Sequence, residues 1–383
     1  MSILTVTAST GSYPVLVEHN ALAQLPQWLA ALKLRGTLWL AYDAALEALY
    51  AQPLRDMLGA EGYSVKTYAI PSGEQSKSQQ QLWQLYDWLI GGGVERRDTL
   101  LALGGGVVGD LAGYAAASVL RGIGLVQLPT TLLSMVDAAV GGKTAINHPL
   151  GKNLIGAFYP PRLVVADTAT LASLSPRERC AGWAEVIKHG VIRDVALFDD
   201  LERYAAGGRR QEAESRSNST LVGEQHASDR LSADSEQLAD LVRRAVKVKV
   251  DVVSADEHEQ GERITLNYGH TIGHAIETVA GYGILLHGEA VAIGLHAAAS
   301  IAARVGLCDT TLVMRQQRLL HAYGLETQFP VGIDRDAILY ATLRDKKVQN
   351  ARIRWVLPTA IGRVVVRDDI APALVRAVVL ELP

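Results

Sequence analysis

The sequence has few cysteines and little net charge, and both shortages exclude classes of protein. Cys180 and Cys308 are its two cysteines among 383 residues, too few for a disulfide scaffold and typical of a reducing compartment. The formal net charge of −3 gives no basic footprint, so nucleic acid is not expected as the main partner. With 49% hydrophobic and 20% charged residues, the composition is that of a soluble globular protein.

Long hydrophobic runs are also missing. Gly, Pro, Asp or Lys interrupts the apolar stretches well before the length that spans a membrane. The opening residues, MSILTVTASTGSYPVLVEHN, alternate like a pair of strands and lack the basic start and apolar core of a signal peptide. We therefore expect a cytoplasmic protein that binds neither a membrane nor a nucleic acid.

What is present is a change of pattern along the chain. Up to about residue 170, strands such as TLWLAYD, SVKTYAI and DTLLALGGG alternate with helical stretches, which predicts a parallel sheet. From about residue 175 helical periodicity dominates. We predict an α/β fold with an N-terminal parallel-sheet nucleotide-binding domain, 1–174, and a mainly α-helical metal- and substrate-binding domain, 175–383. Residues 206–236, rich in Ser, Arg, Glu and Gly, are expected to form a flexible insertion.

A glycine-rich stretch, GGGVVGD at 104–110, ends a predicted strand and opens a predicted helix. Glycine lets the backbone approach a pyrophosphate, and the amides of a helix start face the anion. Because no acid follows about 20 residues on, Asp43 at the end of the first buried strand is the candidate to hold a ribose. Glu74 and Lys77 lie in another turn, PSGEQSKS, that follows a strand. Tight strand–helix packing alone would explain the same glycines.

A second glycine-rich segment, 136–161, places Lys143 and Lys152 directly after glycines. Asp137 and Asn153 lie close by in the sequence. Ammonium groups with an amide and a carboxylate suit a phosphorylated, hydroxylated substrate. Exposed lysines usually bind nothing specific, but this apolar and glycine-rich setting favours a site.

Carboxylate and basic side chains then recur at helical spacing. Glu185 and Lys188 are three apart in an apolar stretch, which places them on one helix face. Arg263, Asn267 and His270 follow one another at spacings of four and three, and the next histidine, His274, comes four residues later. This spacing predicts that all four share one face of a single helix.

The histidines permit more than one metal site. Glu185, His270 and His287 would offer zinc a carboxylate and two imidazoles, with positions left open for substrate. His270 and His274 could equally be two ligands of one metal. Any single histidine here could instead be a buried structural residue.

These blocks, in this order, resemble the 3-dehydroquinate synthase family of sugar-phosphate cyclases. The resemblance runs from about residue 63 to residue 362 and departs most near 205–236; it is carried by PSGEQSKS, DTLLALGGGVVGDLAGYAAAS, LPTTLLSMVDAAVGGKTAINHPLGKNLIGAFY, AEVIKHG and LNYGHTIGHAIE. It implies conversion of 3-deoxy-D-arabino-heptulosonate 7-phosphate to 3-dehydroquinate and phosphate. In the implied reaction NAD transiently oxidises a hydroxyl, phosphate leaves, the hydride returns, and an intramolecular aldol step closes the carbocycle.

The resemblance also implies a role for each site residue. NAD would be held by Asp43, Ser72, Gly73, Glu74, Gln75, Ser76, Lys77, Gly106, Val107, Val108, Gly109, Asp110, Thr130, Thr131, Lys143, Lys152, Thr170, Leu171, Ala172 and Ser173. Zn²⁺, or Co²⁺ in its place, would be held by Glu185, His270 and His287. The catalytic residues would be Lys143, Lys188, Glu259, Arg263, Asn267 and His274, with Glu259 orienting His274. The sugar phosphate would meet Asp137, Lys152, Asn153, Lys249, one of Lys346 and Lys347, and an Arg121 that reaches across a homodimer interface.

Other functions fit parts of this pattern. A cyclase that makes an aminocyclitol precursor is the nearest alternative, whereas Asn267 and His274 argue against the valiolone-forming type. A metal-dependent polyol dehydrogenase would share the fold and the glycine loop, but that class lacks the paired Gly-Lys segment. A catalytically inactive binding protein is disfavoured because the expected site positions are all filled.

Overall fold

The computed structural model describes residues 3–217, 224–281, 283–342, 348–349 and 352–382. The chain divides into two compact units, Met1–Leu174 with Ala233–His258 and Ser175–Ser232 with Glu259–Pro383. The division after residue 174 falls where the sequence pattern changes, but residues 233–258, which we assigned to the second domain, belong to the first unit. Hydrogen bonds account for this, because the amides of Thr7 and Ser9 donate to Ser254 Oγ (3.0 Å) and Glu257 Oε2 (2.7 Å).

The first unit is built around a seven-stranded sheet with the spatial order β1-β2-β9-β6-β5-β3-β4. Its strands are β1 (Leu4–Ala8), β2 (Gly11–Glu18), β3 (Leu38–Asp43), β4 (Val65–Ile70), β5 (Thr99–Gly104), β6 (Gly124–Pro129) and β9 (Leu163–Asp167). β1 pairs antiparallel with β2, and the other neighbours are parallel. Between β6 and β9 in sequence, β7 (Lys143–His148) and β8 (Gly151–Phe158) form a separate antiparallel hairpin.

Both faces of the sheet are buried, which explains why its strands read as nearly continuous hydrophobic runs. Leu38 and Leu40 of β3 pack into a core that includes residues of α1 (Leu25–Ala31) and α2 (Gln52–Ala60). Trp39 and Ala41 point to the opposite core, which includes residues of α3 (Gln79–Gly91) and α4 (Gly106–Ser118). The predicted α/β class with an N-terminal parallel sheet is confirmed.

The second unit is mainly helical. It contains α5 (Pro176–Ile192), α6 (Val195–Ser217), α8 (His270–Ala280), α9 (His287–Arg304), α10 (Thr310–Ala322), α11 (Arg335–Thr342), α12 (Pro372–Glu381), and the strand pairs β10 (Val348–Gln349) with β11 (Arg352–Ile353) and β12 (Trp355–Ala360) with β13 (Arg363–Arg367). α7 (Glu224–Ala255) crosses the division between the units. The expected insertion, 206–236, thus includes the end of α6 and the start of α7, while 218–223 lie outside the described residues. Among the residues described, no helix is both long and apolar enough to cross a membrane.

The start of α8 corrects one expectation. Arg263 and Asn267 lie on a separate 3₁₀ helix, Glu262–Asn267, whereas His270 opens α8. Gly269 between them has φ +78°, a left-handed conformation that ends one helix before the next begins. The prediction that Arg263, Asn267, His270 and His274 share one continuous helix face is therefore wrong.

Candidate active site

The strand order reverses at one point in the sheet of the first unit. From β3 the chain moves to β4 at the edge of the sheet, then returns to place β5 on the other side of β3 and continues to β6. In such sheets ligands bind outside the carboxyl ends of the strands at the point where the order reverses. Asp43 ends β3 and Gly104 ends β5, so the two predicted nucleotide-binding elements flank this point. We call the loops at these carboxyl ends the nucleotide edge.

The glycines of the nucleotide edge serve both packing and access. A Cβ on Gly104 would lie 2.9 Å from Val108, and one on Gly109 would lie 2.8 Å from Gln127 Oε1. Close packing therefore explains these two positions. Gly106, in contrast, opens α4, whose first backbone amides have no partner within the helix and suit an anion.

The turn after β4 is tied to both neighbours. Ser72 donates a hydrogen bond to Asp43, which also accepts from the amide of Ala45 at 3.0 Å. Lys77 is buried and forms an ion pair with Asp110, near the start of α4. Burial raises the pKa of Asp110 although Lys77 opposes that rise. Turn and glycine loop are thus held together by a buried charge pair.

Two further strands complete the nucleotide edge. The amide of Thr130, directly after β6, donates to Gly104 O at 2.9 Å. After β9 a short 3₁₀ helix, Thr168–Ser173, carries Thr170, whose hydroxyl donates to Thr130 O at 3.3 Å. The predicted cofactor residues of the strand-end loops, from Asp43 to Ser173 in sequence, therefore gather at one edge of the sheet.

The predicted lysines lie on the hairpin and on α7. Lys143 begins β7 and Lys152 lies near the start of β8. Lys249 on α7 is 6% exposed and donates to the carbonyl of Asp137 at 2.6 Å and to its carboxylate. Asn153, beside Lys152, has φ +55°.

Two of the predicted substrate contacts stay predictions. Arg121 is exposed at the end of a short 3₁₀ helix, and its role at a homodimer interface stays a prediction. Lys346 and Lys347 lie outside the described residues.

Three helices of the second unit bring Glu185, His270 and His287 together, and we call these residues the metal cluster. Glu185 projects from α5 and is fully buried, while His270 and His287 are the first residues of α8 and α9. The Nε2 atoms of His270 and His287 lie 3.3 and 3.7 Å from Glu185 Oε1. One donor atom from each residue falls within 4.8 Å of the others.

The outer contacts of the metal cluster fit a bound divalent cation. Nδ1 of His270 is 3.0 Å from the carbonyl oxygen of Tyr268, and Nδ1 of His287 is 3.0 Å from Glu277 Oε2. Each ring can therefore donate its Nδ1–H outward and turn an unprotonated Nε2 toward Glu185. A carboxylate and two imidazole nitrogens form a donor set typical of zinc with open coordination positions.

The charges of the metal cluster also fit a bound divalent cation. Burial disfavours a charged Glu185, yet Lys188, its ion-pair partner on α5, and His270 hold the pKa of Glu185 well below its usual range. Burial lowers the pKa of His270 to about 4, so this imidazole is neutral at neutral pH. Although burial opposes it, hydrogen bonds to Glu185 and Glu277 raise the pKa of His287 to about 10. The negative surroundings that favour a proton on His287 also favour a metal cation.

Four further predicted catalytic residues belong to the second unit, as the metal cluster does: Glu259, Arg263, Asn267 and His274. His274 lies one turn after His270, with ring centroids 5.2 Å apart. Arg263 is 2% exposed. Asn267 Nδ2 donates to Glu259 Oε1 at 2.7 Å, so Glu259 orients Asn267; its action on His274 stays a prediction.

Sequence reasoning missed Glu277. It forms a second donor group with His274 and His287, whose ligand atoms also lie within 4.8 Å of one another. The signal was available, because His270, His274 and Glu277 follow one another at spacings of four and three.

Comparison with known sequences gives one consistent family. The profile described as 3-dehydroquinate synthase N-terminal matches residues 67–181, and its C-terminal counterpart matches residues 182–348. A 3-dehydroquinate synthase of a Synechocystis species is 45% identical over 95% of this chain and 96% of its own length. That of a Nostoc species is 42% identical over 100% of this chain and 99% of its own.

Solved structures of other cyclases are similar over the whole chain. A 2-epi-5-epi-valiolone synthase from Streptomyces hygroscopicus, solved with NAD⁺ and Zn²⁺, superposes with a TM-score of 0.82 at 28% identity, covering 96% of both chains. A 2-deoxy-scyllo-inosose synthase complexed with carbaglucose-6-phosphate, NAD⁺ and Co²⁺ gives 0.81 at 26%, covering 100% of both. A glycerol dehydrogenase from Schizosaccharomyces pombe, at 0.63 and 17% over 99% of this chain and 89% of its own, shares the fold.

Proposed function

This chain belongs to the 3-dehydroquinate synthase family, and we propose that it converts 3-deoxy-D-arabino-heptulosonate 7-phosphate to 3-dehydroquinate and phosphate. NAD at the nucleotide edge and Zn²⁺ or Co²⁺ at the metal cluster are its proposed cofactors. By outcome the enzyme is a carbon–oxygen lyase that releases phosphate. We further propose that it acts in the cytoplasm as a homodimer.

The observation that carries this proposal is the metal cluster, with its buried neutral His270, its buried charged Glu185 and the partly buried His287. The cluster supports a substrate that binds the metal through oxygen atoms, because a cation held by three protein ligands keeps coordination positions open for hydroxyl groups. Oxidation of an alcohol by a bound nucleotide cofactor is common to cyclases and polyol dehydrogenases. The lysines of the hairpin favour the cyclase, since they suit a phosphorylated substrate.

The chain's own residues have defined tasks in this proposal. When bound, NAD would take up and return a hydride, and the metal ion would polarise the hydroxyl oxygen on the carbon that is oxidised. Lys188 balances the negative charge of Glu185, and both side chains are buried. His274 moves a proton near the substrate, and Glu259 fixes the amide of Asn267, so that it can donate to a hydroxyl.

Anionic groups of the substrate meet the positive side chains. Lys143, Lys152 and Lys249 neutralise the carboxylate and phosphate as point charges, and buried Arg263 can bind an anion with two parallel hydrogen bonds. The leaving phosphate can take up the proton in the elimination, so few protein bases are needed.

The test is phosphate release from the heptulosonate 7-phosphate, with and without NAD and after chelation of metal. We expect release that requires both cofactors, with no net accumulation of NADH, because the hydride is returned in each turnover. NADH that accumulates with simple polyols, without phosphate release, would instead establish a dehydrogenase. Release from a hexose 6-phosphate but not from the heptulosonate would establish an aminocyclitol-type cyclase.

A further inference from the structure

The carboxylate of Glu277 is buried although the proposed reaction gives it no task. It lies on α8, two turns after His270, and is 6% exposed. A buried carboxylate is costly unless it is paired or hydrogen-bonded. One carboxylate oxygen of Glu277 lies 3.0 Å from the Nδ1 atom of His287 on the neighbouring helix. The carboxylate and the ring therefore have to be explained together.

The packing of α8 against α9 brings these two side chains into reach. A Cβ on Gly294 would lie 2.0 Å from Gly269 O, and one on Gly273 would lie 3.2 Å from Ala290 O. A side chain at Gly294 would clash with the backbone and one at Gly273 would be tight, so the backbones approach closely where the start of α8 packs against α9. This close approach lets Glu277 of α8 contact His287 at the start of α9.

The ring of His287 is held between two carboxylates. Its Nδ1 meets Glu277, while its Nε2 lies 3.7 Å from Glu185 Oε1. A carboxylate can only accept a hydrogen bond here, so Nδ1 carries the proton when the ring is neutral. The lone pair is then on Nε2, the atom that faces Glu185 and His270. Glu277 thereby fixes both the tautomer and the orientation that a metal ligand needs.

His270 shows the contrasting solution. Its Nδ1 meets the backbone carbonyl of Tyr268 at 3.0 Å, a neutral acceptor. The net charge also differs, since Lys188 already balances Glu185 and the carboxylate of Glu277 adds a negative charge next to His287. His287 is thus the proposed ligand whose outer nitrogen meets a charged side chain instead of a backbone carbonyl.

We propose that Glu277 is a positioning residue that orients His287 and strengthens the binding of the divalent cation to Glu185, His270 and His287. The inference rests on the proposed function, because it takes the metal cluster to be the cation site. Glu277 acts through His287 and does not touch the cation.

The test measures metal affinity rather than turnover. Wild-type protein, Glu277→Ala and Glu277→Gln are stripped of metal and titrated with Co²⁺ and Zn²⁺ against a competing chelator, and Co²⁺ absorption reports the ligand set. Loss of such an outer carboxylate typically weakens metal binding about 10–100-fold, which we expect for Glu277→Ala. Glu277→Gln can still accept from Nδ1–H and should lose less, with an unchanged Co²⁺ spectrum.

Glu289→Gln is the matched control. Glu289 is two residues from His287 on the same helix, but its carboxylate pairs with Arg177 and accepts from the amide of Leu286. This variant should bind metal within about twofold of wild type, since its carboxylate does not meet the ring. Thermal unfolding of each metal-free variant shows whether a fold defect contributes.

The outcomes separate the alternatives. Wild-type affinity in Glu277→Ala would overturn the positioning role. A changed Co²⁺ spectrum in Glu277→Gln, together with a metal affinity as low as that of His287→Ala, would make Glu277 a ligand. That result would also overturn the positioning role. Wild-type protein that binds one metal but releases no phosphate would refute the proposed reaction, while the variant affinities would still decide the role of Glu277.

Discussion

The nucleotide edge and the metal cluster are built from different parts of the chain. At the nucleotide edge the binding groups are amides, hydroxyls and a few charges in loops that follow β3, β4, β5, β6 and β9. In the metal cluster they are one carboxylate and two imidazole side chains on α5, α8 and α9, two of them buried and that of His287 partly buried. A site built from backbone amides tolerates changes of side chain, whereas a site built from buried charged side chains needs each of them. Mutations should therefore have unequal effects in the two regions.

The largest effect is expected from His270→Ala. Its metal content should fall to background, and activity should drop roughly a thousand-fold or more, because a Lewis acid contributes several kcal/mol to such steps. Metal analysis and phosphate release measure the two quantities. His274→Ala is the matched control: it should keep the metal and lose rate alone, by about 10²–10⁴-fold. If both variants are empty, both histidines are ligands and the assigned roles are wrong.

An intermediate effect, on stability, is expected from Lys188→Met. Glu185 would remain buried without its counter-charge, which costs about 3–5 kcal/mol in metal-free protein. Denaturant unfolding with and without metal is the measurement, and bound cation should recover part of the loss. Lys247→Met breaks an exposed Lys–Asp pair on α7 and should cost less than about 1 kcal/mol. Equal losses in the two variants would show that burial does not distinguish these ion pairs.

The smallest effect is expected from Asp43→Asn. Removing a charged acceptor for ribose hydroxyls should weaken NAD binding about tenfold, the equivalent of about 1.4 kcal/mol. Asparagine still accepts from the amide of Ala45, so the melting temperature should not change. Calorimetric titration with NAD tests this, with Asp56→Asn on the surface of α2 as the unaffected control. Unchanged NAD affinity in Asp43→Asn would remove Asp43 from the site.

The two regions also differed in how far the sequence could predict them. Alternation of strands and helices predicted the parallel sheet, and the carboxyl ends of parallel strands necessarily share an edge. The gathering of Asp43, the glycine loop and Thr130 followed from that rule. For the metal cluster, spacing alone left His270 with His274 as an alternative to Glu185 with His287, and the latter group is separated by about a hundred residues along the chain.

Helical periodicity gave a wrong prediction where one glycine takes a left-handed backbone conformation. Arg263, Asn267 and His270 fit one helix face by counting, but the positive φ of Gly269 separates two helices there. The contacts that place 233–258 in the first unit could not be read from the sequence either, because they depend on hydrogen bonds that Ser254 and Glu257 accept from the amides of residues nearly 250 positions earlier.

The sequence by itself therefore determined the fold class, the family and the identity of most candidate site residues, since short-range periodicity and ordered blocks carry that information. Spacing did not choose between the possible histidine pairs, and only the tertiary structure brings His270 and His287 to Glu185 and Glu277 to His287. These choices depend on the close approach of α8 and α9 at Gly273 and Gly294, and the distance between two packed helices is not encoded in the periodicity of either.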